Sequence, residues 1–148
     1  MISRFQNKQL VEELSDKISC KRENKSTIII EISGTPNSGK TTSVSKFENL
    51  FNRKKMGFKV IHELAEICPI NDKLIPEFNY WTGVTTVTKI WELLYNKTEV
   101  VICERGIFDA LCWLEFHYMR NSIDKPQLSR MADFYLNSIF CDCKRYVL

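Results

Sequence analysis

The stretch EISGTPNSGKTT, residues 31–42, follows a β-branched run and leads into a segment with helical spacing. Gly34, four further residues, then Gly39, Lys40 and Thr41 form the phosphate-binding pattern G-x-x-x-x-G-K-[ST]. Gly34 and Gly39 lack a Cβ, so they admit positive φ and let successive N–H groups converge on phosphate oxygens. A helix beginning at this point adds its positive N-terminal end. Lys40 is placed to set an ammonium between the outer phosphates, and the Thr41 hydroxyl to ligate a bridging magnesium ion. Asn37, Ser38 and Thr42 belong to the same cradle. The competing reading is a glycine turn that only joins a strand to a helix. Its surroundings favour the phosphate loop, because Thr27 to Ile32 has strand length and composition, and Val44, Phe47, Leu50 and Phe51 recur at helical spacing before Gly57.

A chain of 148 residues, 44% of them hydrophobic, can bury one core and is short for two domains. The expected organisation is an amphipathic helix and charged linker over 1–26, with Leu10, Val11, Leu14 and Ile18 on one face, then a nucleotide-binding domain over 27–148. The net charge of +3 is slight, and the basic clusters are interrupted by acids, so neither nucleic acid nor a membrane is an expected partner. The polar N-terminus lacks the pattern of a secretory signal, which leads to the expectation of a cytoplasmic protein. The six cysteines are then expected to be reduced and largely buried. Cys141 and Cys143 with only two histidines in the chain make a poor zinc set.

Beyond the loop, Phe58 to His62 reads as a second strand. Ile67 to Gly83 reads as a loop rich in Phe78, Tyr80 and Trp81, and Thr85 to Tyr95 as a helix. Glu99 to Cys103 forms a third strand, Ile107 to Arg120 and Gln127 to Ile139 two helices, and Lys144 to Leu148 the start of a fourth strand. Alternating strands and helices imply parallel strands with right-handed crossovers. The expected fold is a three-layer α/β P-loop NTPase with a parallel sheet, short at its C-terminus.

A phosphate loop needs an acidic partner for its metal, normally at the tip of a neighbouring apolar strand. Glu104, after Val100-Val101-Ile102-Cys103, is the best candidate, with Arg105 beside it to act on the transferring phosphate through its fork of donors. The opposing reading pairs Glu104 with Arg105 as an ordinary strand-end ion pair. Glu63 and Glu66 stand at the carboxyl end of the second strand, where open α/β sheets bind ligands. Either one could take the proton of an acceptor hydroxyl or simply begin a helical turn. Asp109 is read either as a first-turn helix acid or as a substrate ligand. Phe78, Tyr80 and Trp81 are read either as stacking surfaces or as local core.

GTPNSGKTT, VIHELAE and VVICERGIFDALCW together resemble the P-loop kinase-type ATPases related to nicotinamide riboside kinase, often labelled AAA-domain proteins. In that group an E-x-A segment follows the second strand and D-R-G-x-x-D the third. The resemblance covers roughly residues 27 to 120 and implies ATP and magnesium as cofactors and a nucleoside-like acceptor. The residues and the resemblance together give expected catalytic roles to Lys40, Glu63, Glu104 and Arg105 and metal roles to Thr41 and Glu104, while the residues alone add weaker substrate roles for Glu63, Tyr80, Trp81 and Asp109. Glu104 stands where the group has aspartate, as in the E-R-S motif of deoxynucleoside kinases, and Glu66 stands where its E-x-A-R arginine falls. The group also has a later arginine-bearing lid, of which Arg130 would be the relic. The leading expectation is thus an ATP- and magnesium-dependent small-molecule kinase. The alternative is a nucleotide-binding module without phosphotransfer, acting by interaction or as a degenerate fragment. A GTPase is disfavoured because Asn96-Lys97-Thr98-Glu99 precedes the third strand, whereas a guanine-reading N-K-x-D ends a later one.

Overall fold

The computed structural model describes residues 12–13, 27–138 and 144–147. Its elements are β1 (Ile28–Ile32), α1 (Lys40–Arg53), β2 (Phe58–Ile61), a 3-10 turn (Leu64–Glu66), α2 (Pro76–Tyr95), β3 (Val100–Glu104), α3 (Ile107–Met119), α4 (Lys125–Ser138) and β4 (Lys144–Val147). The strands form one sheet in the order β2-β3-β1-β4. Every pairing is parallel, with Ile32 opposite Glu104 and Ile28 opposite Lys144. The protein is therefore α/β with a parallel sheet.

Alternation along the strands sorts side chains to two faces. Ile28, Ile30 and Ile32 of β1, with Val100 and Ile102 of β3, meet Val44, Phe47, Leu50 and Phe51 of α1. Ile29, Val101 and Cys103 turn the other way, onto Val87 and Ile90 of α2, Ile107, Ala110 and Leu114 of α3, and Tyr135 of α4. Both faces are covered, so β1 and β3 can read as nearly continuous apolar runs, with Glu31 inside the first and Glu104 ending the second. The loop after β1 leads to a helix on one face, and the loop after the adjacent β3 to a helix on the other. The two connections part at the carboxyl ends of the strands and leave a crevice between them, where ligands bind in open α/β sheets.

The aromatic segment departs from expectation. Tyr80, Trp81 and Gly83 are not in a loop: α2 starts at Pro76, nine residues before the expected Thr85. Proline fits the first helical position because its missing N–H is unpaired there in any case, so Pro76 initiates this helix. Gly83 is tolerated inside it because Tyr135 packs directly against its Cα, leaving no room for a side chain. Cys112 is exposed and Cys68 half-buried, so of the described cysteines only Cys103 has the expected burial. Cys20, Cys141 and Cys143 lie outside the described residues, as does the expected N-terminal helix apart from Glu12 and Glu13. Among the described residues, no helix is long and apolar enough to cross a membrane.

Candidate functional site

The loop between β1 and α1 carries positive φ at Gly34 (153°), Asn37 (61°) and Gly39 (89°). Asparagine is among the few side-chain-bearing residues that adopt this conformation readily. Gly39 is the N-cap of α1 and offers no side-chain cap, and the first turn contains no acid. The opening N–H groups of the helix and its positive end thus have no partner from a capping side chain. Lys40 is buried, and its Nζ donates to the Thr35 carbonyl at 2.9 Å, so the ammonium lies back across the loop. Gly34 sits beneath the Ser38 hydroxyl, which a Cβ at this position would have to displace.

Opposite the loop stands Glu104, the last residue of β3. It shares the parity of Val100 and Ile102, so its carboxylate emerges on the face of α1. There the Thr41 hydroxyl donates to Glu104 Oε1 at 2.6 Å, across 63 residues of sequence. His62 Nδ1, just beyond β2, lies 3.7 Å from Glu104 Oε2. A hollow of about 520 Å3 is lined by Asn37, Gly39, Lys40, Thr41 and Thr42 from the loop and by Glu63, Glu104 and Arg105 from beyond the strands.

Arg105 has φ of 61° and donates its backbone N–H to Ile32 O at 3.1 Å, which ties the β3 turn to the end of β1. Its guanidinium is held between two acids, with Nε 2.8 Å from Glu63 Oε1 and Nη1 3.0 Å from Asp109 Oδ1. Burial alone would loosen the guanidinium proton, but the Asp109 and Glu63 carboxylates outweigh it and hold the proton more tightly than usual. Asp109, in the first turn of α3, is thus both the helix-start acid and a partner of Arg105.

Glu63 and Arg105 also line a second cavity of about 250 Å3, which runs between α2 and α3. Its walls include Leu64, Leu74, Phe78 and Trp113, with Asn79, Thr82, Asp109 and His117 as polar groups. Phe78 faces this cavity, whereas Tyr80 packs into the core beneath α2 and Trp81 lines neither hollow. Successive helical residues turn by about 100°, so the helix that brings Phe78, Asn79 and Thr82 to the cavity carries Tyr80 and Trp81 away from it. Glu66 is exposed and lines a different surface depression, with Lys59 and Lys89. Arg130 is exposed on α4 and lines neither hollow.

Several buried polar groups, Asn79 and Thr86 among them, were not singled out from the sequence, and two of these are titratable. Glu31, at the fourth position of an apolar strand, is fully buried on the face opposite Glu104 and accepts a hydrogen bond from the Phe108 N–H at 3.0 Å. Its carboxyl occupies the space where a Cβ of Gly106 would stand, which explains why glycine opens α3. His117 is the second. It continues the buried stripe Ile107, Ala110, Leu114 at helical spacing, and that spacing was the available signal.

Comparison with known proteins adds no relative: no protein-family model matches the chain, and no curated protein matches it in sequence. The functional reading therefore rests on the chain's own residues.

Proposed function

We propose that the protein binds ATP with magnesium on the residue 34–42 loop and is a kinase of a small hydroxyl-bearing, nucleoside-like molecule, with a three-layer P-loop architecture. The observation that carries this reading is the 2.6 Å contact between Thr41 and Glu104, beside Lys40 and beneath an uncapped helix start. A hydroxyl and a carboxylate in contact, facing a phosphate cradle, suit magnesium, which takes one or two protein ligands and completes its shell from phosphates and water. Magnesium when bound would neutralise charge on the phosphates, with Thr41 and Glu104 as its holders.

The second cavity supports an acceptor site because it meets the first at Glu63 and Arg105. Glu63 is placed to accept a proton from an alcohol, and Arg105 to stabilise charge on the moving phosphoryl group. The module without phosphotransfer is favoured by one observation: the Arg105 charge is already matched by Glu63 and Asp109. Calorimetry with ATP and magnesium tests the reading, and equal affinities of wild type and Lys40→Ala would overturn it.

A further inference from the structure

His117 is fully buried, lines the cavity between α2 and α3, and has no hydrogen-bond partner on either ring nitrogen among the described residues. Leaving buried polar nitrogens unpaired is costly, and such groups in native folds call for a specific explanation. Asn79, also in the lining, is 4% exposed and is fixed by donation from Nδ2 to the Ala110 carbonyl, one residue beyond Asp109, at 3.1 Å. Asp109 and His117 both line the cavity from α3, and their separation of eight residues corresponds to about 12 Å along the helix. The cavity thus carries the charged groups Glu63, Arg105 and Asp109, with Lys73 also in its lining, and farther along α3 the His117 imidazole beside the Trp113 ring. Burial first, then the Arg120 charge, push the imidazole toward its neutral form, while Glu77 opposes them from α2.

We propose that His117 is a ligand-contacting specificity residue: its neutral imidazole hydrogen-bonds the uncharged polar edge of a ring-bearing alcohol whose hydroxyl lies at the Glu63 end. The inference rests on reading this cavity as the acceptor site, but not on phosphate being transferred there. A neutral imidazole can donate from one nitrogen and accept at the other, so it suits an edge that carries either function. An ionic group against this buried imidazole would lose its hydration, with the Glu77 and Arg120 charges acting on the ring only from outside the cavity lining, which selects against charged rings. The volume of about 250 Å3 lies just below the usual range for small-molecule pockets, which fits a compact ligand.

The test uses the full chain and a panel of uridine, cytidine, adenosine and guanosine, with nicotinamide riboside as the probe whose ring is a cation. Binding is followed by calorimetry and by the ring-nitrogen NMR signals of His117. The expected result is that at least one neutral nucleoside binds and shifts the His117 nitrogens, and that His117→Leu weakens it about tenfold, the scale of one lost buried hydrogen bond. His117→Gln, which keeps a donor and an acceptor, should recover most of the loss. The wild-type nitrogen shifts decide the matter even if a variant folds poorly. Binding of a nucleoside with no change at the imidazole overturns the proposal. So does nicotinamide riboside binding as tightly as the neutral probes, or no neutral probe binding at about 1 mM, the upper end of ordinary KM values. A probe that binds and shifts the imidazole but is never phosphorylated upholds this inference and counts against the kinase reading alone.

Discussion

Glu31, next to last in β1, and Glu104, last in β3, stand one register step apart on neighbouring parallel strands, yet their carboxylates serve opposite faces of the sheet. Glu31 lies opposite Cys103 and reaches Phe108 at the start of α3, whereas Glu104 lies opposite Ile32 and reaches Thr41 at the start of α1. The period of two in a strand separates them: one step along the chain reverses the face. One carboxylate thus secures a helix inside the protein, while the other stands at the mouth of the loop hollow.

Exchanging each of these acids should therefore give different phenotypes. Glu31→Ala removes the acceptor of the Phe108 N–H from a fully buried position and should destabilise the fold by about 1–3 kcal/mol, read as a lower denaturant midpoint. Gly106→Ala, whose added Cβ would collide with the same carboxyl, should cost a similar amount. Glu104→Gln should leave stability nearly unchanged and alter the magnesium dependence of ATP binding. A midpoint unmoved by Glu31→Ala would contradict the structural role given to that residue.

Lys40→Ala should weaken ATP–magnesium binding by about 2 kcal/mol, because a charge-assisted contact to phosphate is lost. Thr41→Ala should instead reduce the advantage that magnesium confers. Calorimetric titrations with and without the metal distinguish the two, and a metal dependence unaltered in Thr41→Ala would remove Thr41 from the site.

Arg105 is the residue on which phosphotransfer should depend most. Its charge is already matched by Glu63 and Asp109, so nucleotide binding is expected to outweigh transfer, with slow ATP hydrolysis and little acceptor phosphorylation. A missing arginine of this kind lowers phosphoryl-transfer rates by about 10³ to 10⁵. If transfer occurs, Arg105→Ala should lower it toward that range while sparing ATP affinity. A single-turnover assay with nucleosides and nicotinamide riboside gives the rate, and ordinary kinase turnover, about 1 to 100 per second, would contradict the slow-transfer expectation.

Stability should decline as the medium becomes acidic, in part through His117. Burial, then the Arg120 charge, lower its pKa below the usual histidine value of about 6.5, with Glu77 acting in the opposite sense. The unfolded chain therefore binds a proton at a higher pH than the folded one does. The stability held by the neutral imidazole is fully present above about pH 6.5 and is lost as pH falls through the depressed folded value. Asp109, Glu63, Arg105 and Lys73 also line the cavity, so the share due to His117 is isolated by comparison with His117→Gln. The variant should show a flatter decline in denaturant midpoint between about pH 7 and 5. Parallel profiles would contradict this assignment.

Much of the local structure was legible in the sequence because it depends on near neighbours. The apolar runs of β1 and β3, the helical spacing of Val44, Phe47, Leu50 and Phe51, and the short Lys144–Val147 strand all lie close to where residue patterns put them. The glycines at 34 and 39 likewise announced a turn with positive φ, since a missing Cβ acts within its own residue. The parallel α/β character followed from the alternation of these segments. Local signals failed where they competed: Gly83 and the crowded aromatics suggested a loop, while Pro76 was a helix start whose helix holds because Tyr135 packs against Gly83.

Juxtaposition was decided only by the tertiary structure. Thr41 meets Glu104 because β3 inserts between β1 and β2, a sheet order that the sequence pattern does not specify. Arg105 is shared by Glu63 and Asp109 because the β2 and β3 connections end side by side. Phe78 reaches the cavity while Tyr80 and Trp81 do not, because helical rotation sends adjacent side chains in different directions. Burial of Glu31 and His117 likewise depends on helices packed from distant parts of the chain. The sequence alone determined which segments could be strands, turns and helices, because backbone sterics and side-chain periodicity act over a few residues. Which polar groups share a site was decided by packing between segments tens of residues apart, whose relative placement no local pattern encodes.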